Sequence, residues 1–219
     1  MTVLVIAAHP DDEALGCGGT MARHAGQGED VHVLFLADGV TSRDETGEAD
    51  VEKRRAAALA AAKALGAKPP RFASMPDNKL DTVPLLDVVK AVEEALTETV
   101  PDVVYTHHGG DLNVDHRIVH RAALTACRPQ PGCPVRAIYA FEVPSSTEWN
   151  DSVFIPNRFV DIGATLDAKM KALACYAGEM RPFPHPRSLE AIEALARWRG
   201  ASAGLEAAEA FHIIRQVVP

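Results

Sequence analysis

Residues 3–20, VLVIAAHPDDEALGCGGT, decide the architecture of this chain. Val3 to Ala8 is an apolar, mostly β-favouring run, as expected of a buried strand. It breaks at His9, Pro10, Asp11, Asp12 and Glu13, and from Glu13 to about Ala25 the sequence reads as helix. In an open α/β sheet, ligands and catalytic groups collect outside the carboxyl ends of the strands. One imidazole and three carboxylates crowded at such a point repel one another, and a bound divalent cation would relieve that repulsion.

Beyond this stretch, strand-like and helix-like segments alternate, the pattern of a parallel sheet with crossover helices. Val31 to Ala37 reads as a second buried strand, followed by a polar loop from Asp38 to Glu48. Asp50 is expected to cap a long Ala-rich helix that stops at Gly66, and Pro84 to open another running to about Glu98. Asp102 to Thr106 is a short strand. His107 to Asp115 is a loop leading into a helix that reaches about Arg128, and Val135 to Phe141 is a further strand. The last third is less regular: a short strand at Arg158 to Ile162, a helix over Leu166 to Ala177, and a helix over Leu189 to Trp198. An apolar stretch from Phe211 to Val218 closes it. Arg181 to Arg187 holds three prolines around His185 and excludes regular structure. The expected fold is α/β and Rossmann-like, a mostly parallel sheet flanked by helices. It forms a single domain over residues 1–219, with the core in about 1–142 and residues 143–219 completing the site.

Composition narrows the function classes. A formal charge of −8 argues against a nucleic-acid footprint, which needs clustered Lys and Arg. No apolar run approaches the roughly 20 residues that cross a bilayer, and the N-terminus lacks signal-peptide features. Cys17, Cys127, Cys133 and Cys175 show no CxxC spacing and read as reduced core residues of a cytoplasmic protein.

Two strand ends carry the polar chemistry. The first supplies His9, Asp11, Asp12 and Glu13. The later one supplies His107 and His108, then Asp111, Asn113, Asp115 and His116 at a helix start. Two histidines and one carboxylate from separate loops suit zinc, whose catalytic sites keep three protein ligands and an open position. A competing ligand scheme uses His116 and His120, four apart on one helix face. Gly16, Gly18 and Gly19 lack phosphate-loop order and are read as close helix–sheet packing. Arg43, in the loop after the second strand, is a candidate for holding substrate hydroxyls or a phosphate. Arg54 and Arg55 are read as surface charges.

AHPDDE and the later GGDLNVDHRIVH resemble the LmbE-like relatives of N-acetylglucosaminyl-phosphatidylinositol de-N-acetylase (PIG-L), and HPRSLEAIEALARWRG and AEAF resemble the C-terminal portion of a bacterial branch. The resemblance implies hydrolysis of the N-acetyl amide of an N-acetylglucosamine-type sugar or conjugate. It assigns His9, Asp12 and His116 as ligands of Zn2+ or another first-row divalent metal, and Asp11 as the general base. Glu13 is left to cap the following helix, and His120 becomes a buried or supporting residue. Many relatives carry a histidine where this chain has Asn113, which can donate to an oxyanion but cannot shuttle a proton. His185, His108 or Asp11 itself could then supply the proton, with His185 preferred. His108 and Asp111 join Arg43 as substrate-binding candidates, and Asp115 is expected to orient a neighbouring histidine. The implied partner is a small N-acetylated sugar or conjugate, with no nucleic acid and no membrane span, in a homo-oligomer such as a trimer or hexamer. Two other readings stand: a magnesium-dependent phosphohydrolase or phosphoryl-transfer domain, and a non-catalytic sugar-binding relative.

Overall fold

The structure, a computed structural model, describes residues 1–42 and 47–218. Seven strands form one sheet: β1 (Thr2–Ala7), β2 (Asp30–Ala37), β3 (Arg71–Met75), β4 (Val103–His107), β5 (Ala137–Phe141), β6 (Arg158–Asp161) and β7 (Ala208–Gln216). Their spatial order is β3-β2-β1-β4-β5-β7-β6. The pairings from β3 through β5 are parallel, while β7 runs antiparallel to both β5 and β6. Among the described residues six α-helices accompany it: α1 (Asp12–Gly26), α2 (Glu48–Ala64), α3 (Leu85–Thr99), α4 (Val114–Ala126), α5 (Leu166–Cys175) and α6 (Leu189–Ala201). This is the expected α/β, mostly parallel architecture, and none of its described helices is long and apolar enough to cross a membrane.

The two-residue side-chain period of a strand explains why β1 is apolar throughout. Val3, Val5 and Ala7 face a core shared with α1, α2, α5 and α6, whereas Leu4, Ile6 and Ala8 face one shared with α3 and α4. The chain leaves β1 toward β2 on one side and leaves β4 toward β5 on the other. Adjacent strands whose connections diverge leave a crevice at their carboxyl ends, and both histidine-rich clusters lie at that crevice.

The glycines of α1 serve packing. A Cβ at Gly16 would run into the Phe141 ring, and one at Gly19 into Ile162. The helix is kinked at Cys17, and the amides of Gly19 and Thr20 donate instead to the Glu209 carboxylate at 2.9 and 2.7 Å. Glu209 in turn pairs with the buried Lys169 at 2.6 Å.

Three expectations need correction. Strand β3 has no counterpart in the sequence reading, because an edge strand of mixed polarity, RFASM, gives neither alternation nor an apolar run. Asp50 is not the cap of α2. Gly47 occupies that position, and Asp50, three residues on, accepts the Gly47 amide at 3.1 Å. Arg54 is not a surface charge: it is 7 % exposed and lies on the same buried stripe of α2 as Ala58 and Ala61.

Candidate metal centre

The turn after β1 is folded by its own polar side chains. The His9 amide donates to Asp12 Oδ2 at 2.9 Å, and the Asp11 amide to Glu13 Oε2 at 3.0 Å. Glu13 thus reaches back to the residue before α1, as acidic residues do in a helix's first turn. Asp11 is held at φ 130°, sparsely populated for a residue with a Cβ and of the kind that accumulates at functional sites.

The second half of the site comes from the loop between β4 and α4. Asn113 is the N-cap of α4, its Oδ1 accepting from the amides of Asp115 (2.8 Å) and His116 (3.4 Å). That cap fixes the first turn of α4, from which His116 faces Asp12 across the crevice. One ligand atom from each of His9, Asp12 and His116 lies within 4.8 Å of the others, and all three residues are buried. Asp12 Oδ2 is 3.3 Å from both His9 Nδ1 and His116 Nε2. Asp12 Oδ1 and His116 Nε2 are buried without a hydrogen-bond partner among the described residues. Unpartnered polar atoms at such a depth are costly unless something else satisfies them, and a cation accepting two nitrogens and an oxygen fits this donor set.

The surrounding groups hold these candidate ligands in place. His9 Nε2 faces Asp115 Oδ2 at 3.0 Å and Asp77 Oδ1 at 3.1 Å. Asp115 is itself held by the amides of Asn78 and Leu80 at 2.8 and 3.0 Å. His116 Nδ1 lies 3.1 Å from Asp111 Oδ1, off the hydrogen-bond direction but within ion-pairing range. Carboxylates on the far nitrogen of ligand histidines are the usual support of a metal site. The electrostatics agree. Burial alone would lower the His116 pKa, but Asp12 and Asp111 raise it to about 9. Burial likewise opposes a charge on His9, and Asp115, Asp12 and Asp77 outweigh it. Without a metal these imidazoles hold protons that a cation must displace.

Two of the supporting groups were not assigned from sequence. His107 is fully buried, stacks on the His116 ring with centroids 3.9 Å apart, and accepts the Ala8 amide on Nε2 at 2.9 Å. Burial, then His116, keeps its pKa well below the usual histidine value, so its ring is neutral. Its position as the last residue of β4 was the available signal. Asp77 follows the unrecognised β3 and was invisible for that reason.

Asp11 faces a cleft of roughly 120 Å³ shared with Ser42, Asp77, Asn78, Asn113, Glu179 and two arginines. Arg187 Nη1 contacts Asp11 Oδ2 at 3.0 Å, and Arg54 Nη2 lies 3.8 Å from it. Burial pushes the Asp11 carboxyl up, and Arg187 and then Arg54 oppose that push. Neither arginine was assigned to the site from sequence. Arg54 sits in a helix with almost no contrast between its faces, and Arg187 had no signal beyond lying two residues past His185.

Other expected residues lie elsewhere. His185 takes the Arg187 amide on Nδ1 at 3.0 Å and meets the exposed Trp149 edge-on at 6.0 Å; it does not line the cleft. His108 accepts the Gly110 amide and packs edge-on against Phe154, also away from the cleft. Asp111 corrects the substrate-binding expectation: it is fully buried and taken up by the Ser146 and Thr147 hydroxyls, the Asn113 amide and His116. His120 Nδ1 bonds the His107 carbonyl at 2.8 Å and stands outside the ligand group. Arg43 lies outside the described residues.

Glu13 carries a testable signature. Burial raises its pKa to about 7 even though the Tyr176 hydroxyl (2.6 Å) and the Asp11 amide favour its charged form. A folded pKa above the ordinary 4.5 means a stabilising contribution that is full below pH 4.5 and lost as pH rises through 7. Glu13→Gln stays neutral throughout. The stability of Glu13→Gln relative to the parent should therefore grow by about 3 kcal/mol between those pH values. Urea unfolding at several pH values measures this, and a flat difference contradicts it.

The model of the family described as PIG-L, GlcNAc-PI de-N-acetylase, matches residues 4–127. An uncharacterized deacetylase of Escherichia coli (strain K12), YaiS, is 32% identical over 73% of this chain and 81% of its own. A 1D-myo-inositol 2-acetamido-2-deoxy-alpha-D-glucopyranoside deacetylase of Rhodococcus erythropolis (strain PR4) is 29% identical, over 83% of this chain and 82% of its own. Among solved structures, GalB, the 4-carboxy-2-hydroxymuconate hydratase of Pseudomonas putida KT2440, superposes with a TM-score of 0.82. It is 26% identical, over 100% of this chain and 98% of that one.

Proposed function

Since this chain belongs to the GlcNAc-PI de-N-acetylase family, we propose that it is a hydrolytic N-deacetylase acting on an N-acetylated, N-acetylglucosamine-type sugar or sugar conjugate. The observation that carries the reading is the buried His9–Asp12–His116 group beside a carboxylate, Asp11, that faces the cleft. When bound there, zinc or another first-row divalent cation supplies Lewis acidity and lowers the pKa of water. The two imidazoles argue against magnesium, which takes oxygen ligands, and so against the phosphohydrolase reading.

The protein's own residues do the rest. Asp11 accepts the proton of the attacking water, whose oxygen bonds to the acyl carbon. Asn113, its Oδ1 committed to the helix cap and its Nδ2 to Asn78 at 2.9 Å, lines the cleft as a neutral donor. As the C–N bond breaks, the proton returns from Asp11 to the nitrogen, because His185 stands off the cleft and Asn113 holds no acidic proton. Acetate and a free amine leave. The polar side of the cleft, with Ser42, Asp77 and Asn78, suits sugar hydroxyls. Residues 143–219 complete the site, through Ser146 and Thr147 on Asp111 and Arg187 on Asp11.

A second reading has two observations behind it: the full-length likeness to a hydratase, and a site that has Asn113 in place of a histidine proton donor. Water addition to a conjugated carbon–carbon double bond would use the same activated water and no leaving amine. One assay separates the two. Stoichiometric amine and acetate from N-acetylglucosamine conjugates, abolished by a chelator and restored by zinc, is the expected result. No amine release, together with hydration of an unsaturated dicarboxylate, overturns it.

A further inference from the structure

The segment from Arg181 to Ser188 delivers one side chain to the base. Arg187 Nη1 meets Asp11 Oδ2 at 3.0 Å while its Nε donates to Ser145 Oγ at 2.7 Å. Its main chain is pinned as well, the amide on His185 Nδ1 at 3.0 Å and the carbonyl accepting from Arg181 at 3.3 Å. The next residue, Ser188, caps α6 through the Ala191 amide. A guanidinium fixed at this many points is a rigid fork, not a freely moving surface charge.

Its brace is unusual. Ser145 sits at φ 68°, a left-handed conformation that non-glycine residues seldom adopt and that clusters at functional sites. The two residues after it, Ser146 and Thr147, bond the Asp111 carboxylate, which faces His116. One short turn therefore sets Arg187 against Asp11 and Asp111 against His116, tying the two halves of the site to a common register. The second guanidinium does not do this. Arg54 is engaged with Glu179 at 2.8 Å and the Gly39 carbonyl at 3.2 Å, and reaches Asp11 only at 3.8 Å. The Asp11 and Arg187 side chains are 2% and 21% exposed, so solvent screens their pairing far less than a surface pair's.

We infer that Arg187, braced by Ser145, is a positioning residue that aims the Asp11 carboxylate; the inference rests on the reading of Asp11 as the base. Misplacing a reacting group by about 1 Å costs on the order of 10²-fold in rate. With metal-loaded, full-length enzyme and an amine-releasing substrate, Arg187→Ala should lower kcat by about that factor with KM nearly unchanged. Guanidinium chloride added to that variant should recover a large part of kcat, and the same concentration of sodium chloride none. Arg187→Lys should recover little, since one ammonium cannot bond Asp11 and Ser145 in the same fork geometry. Ser145→Gly, which keeps the backbone conformation and removes the hydroxyl, should lower kcat in the same direction by a smaller factor. In an Asp11→Asn background, Arg187→Ala should cost nothing further, as expected of two residues acting as one unit. A raised KM with kcat intact would make Arg187 a substrate-binding group and overturn the inference, as would undiminished kcat or additive losses. Full activity in Asp11→Asn would instead overturn the base assignment, and the two failures are thereby distinguished.

Discussion

Asp11→Asn should leave the protein folded and able to take up one metal ion while lowering kcat by about 10³- to 10⁴-fold. The replacement is nearly isosteric, and its amide oxygen can still accept from Arg187, which now bonds Asp11 at 3.0 Å. The amide cannot accept a proton from water, and general base catalysis contributes about 10²- to 10⁴-fold. The upper part of that range applies because the same carboxylate is assigned to return the proton to the departing nitrogen. His185, the donor favoured by the sequence, meets Trp149 and takes the Arg187 amide outside the cleft. Three measurements check this together: metal content, thermal unfolding and steady-state kinetics. Unchanged metal and unfolding with collapsed kcat is the expected result. A variant that keeps a tenth or more of the parental kcat would mean that the proton goes elsewhere.

Asp12→Asn should give the complementary outcome, a protein that folds but holds metal poorly. The Asp12 carboxylate is the hub of the site: its Oδ2 accepts the His9 amide and lies 3.3 Å from His9 Nδ1 and from His116 Nε2. Burial would raise its pKa, and the neighbouring His116, helped by the contact with His9, reverses that, holding it well below the usual carboxylate range. Asparagine preserves the acceptor for the His9 amide but removes the anionic ligand. If the roughly 10–16 kcal/mol of a four-ligand zinc site is shared among its ligands, one anionic ligand is worth about 3–4 kcal/mol. That is a weakening of metal affinity by about a hundred- to a thousandfold. Equilibrium dialysis against buffered zinc reads it directly. Activity should return at high zinc, because Asp11 remains. Parental affinity in Asp12→Asn would remove Asp12 from the ligand set.

How much of this was legible before the fold was known depends on what each residue's signal was. β1 announced itself because it is buried on both faces and so apolar at every position from Val3 to Ala7. The edge strand β3 lacked that pattern, and with it went Asp77, which completes the carboxylate pair on His9. That His9, Asp12 and His116 come together was readable because they lie in two short, polar, strand-terminating motifs. The cation pair on Asp11 was not. Arg54 belongs to a helix whose lysines, glutamates and alanines give almost no amphipathic contrast, and Arg187 comes from a segment nearly 180 residues away in sequence. Its approach to Asp11 is a product of how α6 docks beside the sheet. Asn113 was recognised as a departure from the family pattern. Its service as the cap of α4 follows from ordinary helix chemistry, since asparagine is among the best N-caps.

If one divalent metal in the His9–Asp12–His116 group, with Asp11 beside it, supports hydrolysis of an N-acetyl amide, turnover must track metal occupancy. Chelator-stripped protein titrated with zinc, with acetate release from an N-acetylglucosamine conjugate followed throughout, reads this. Activity should start near zero, rise in proportion to zinc and level off at one equivalent per chain, with amine and acetate formed in equal amounts. Full activity in the stripped protein, or acetate release that ignores added metal throughout the titration, would contradict it.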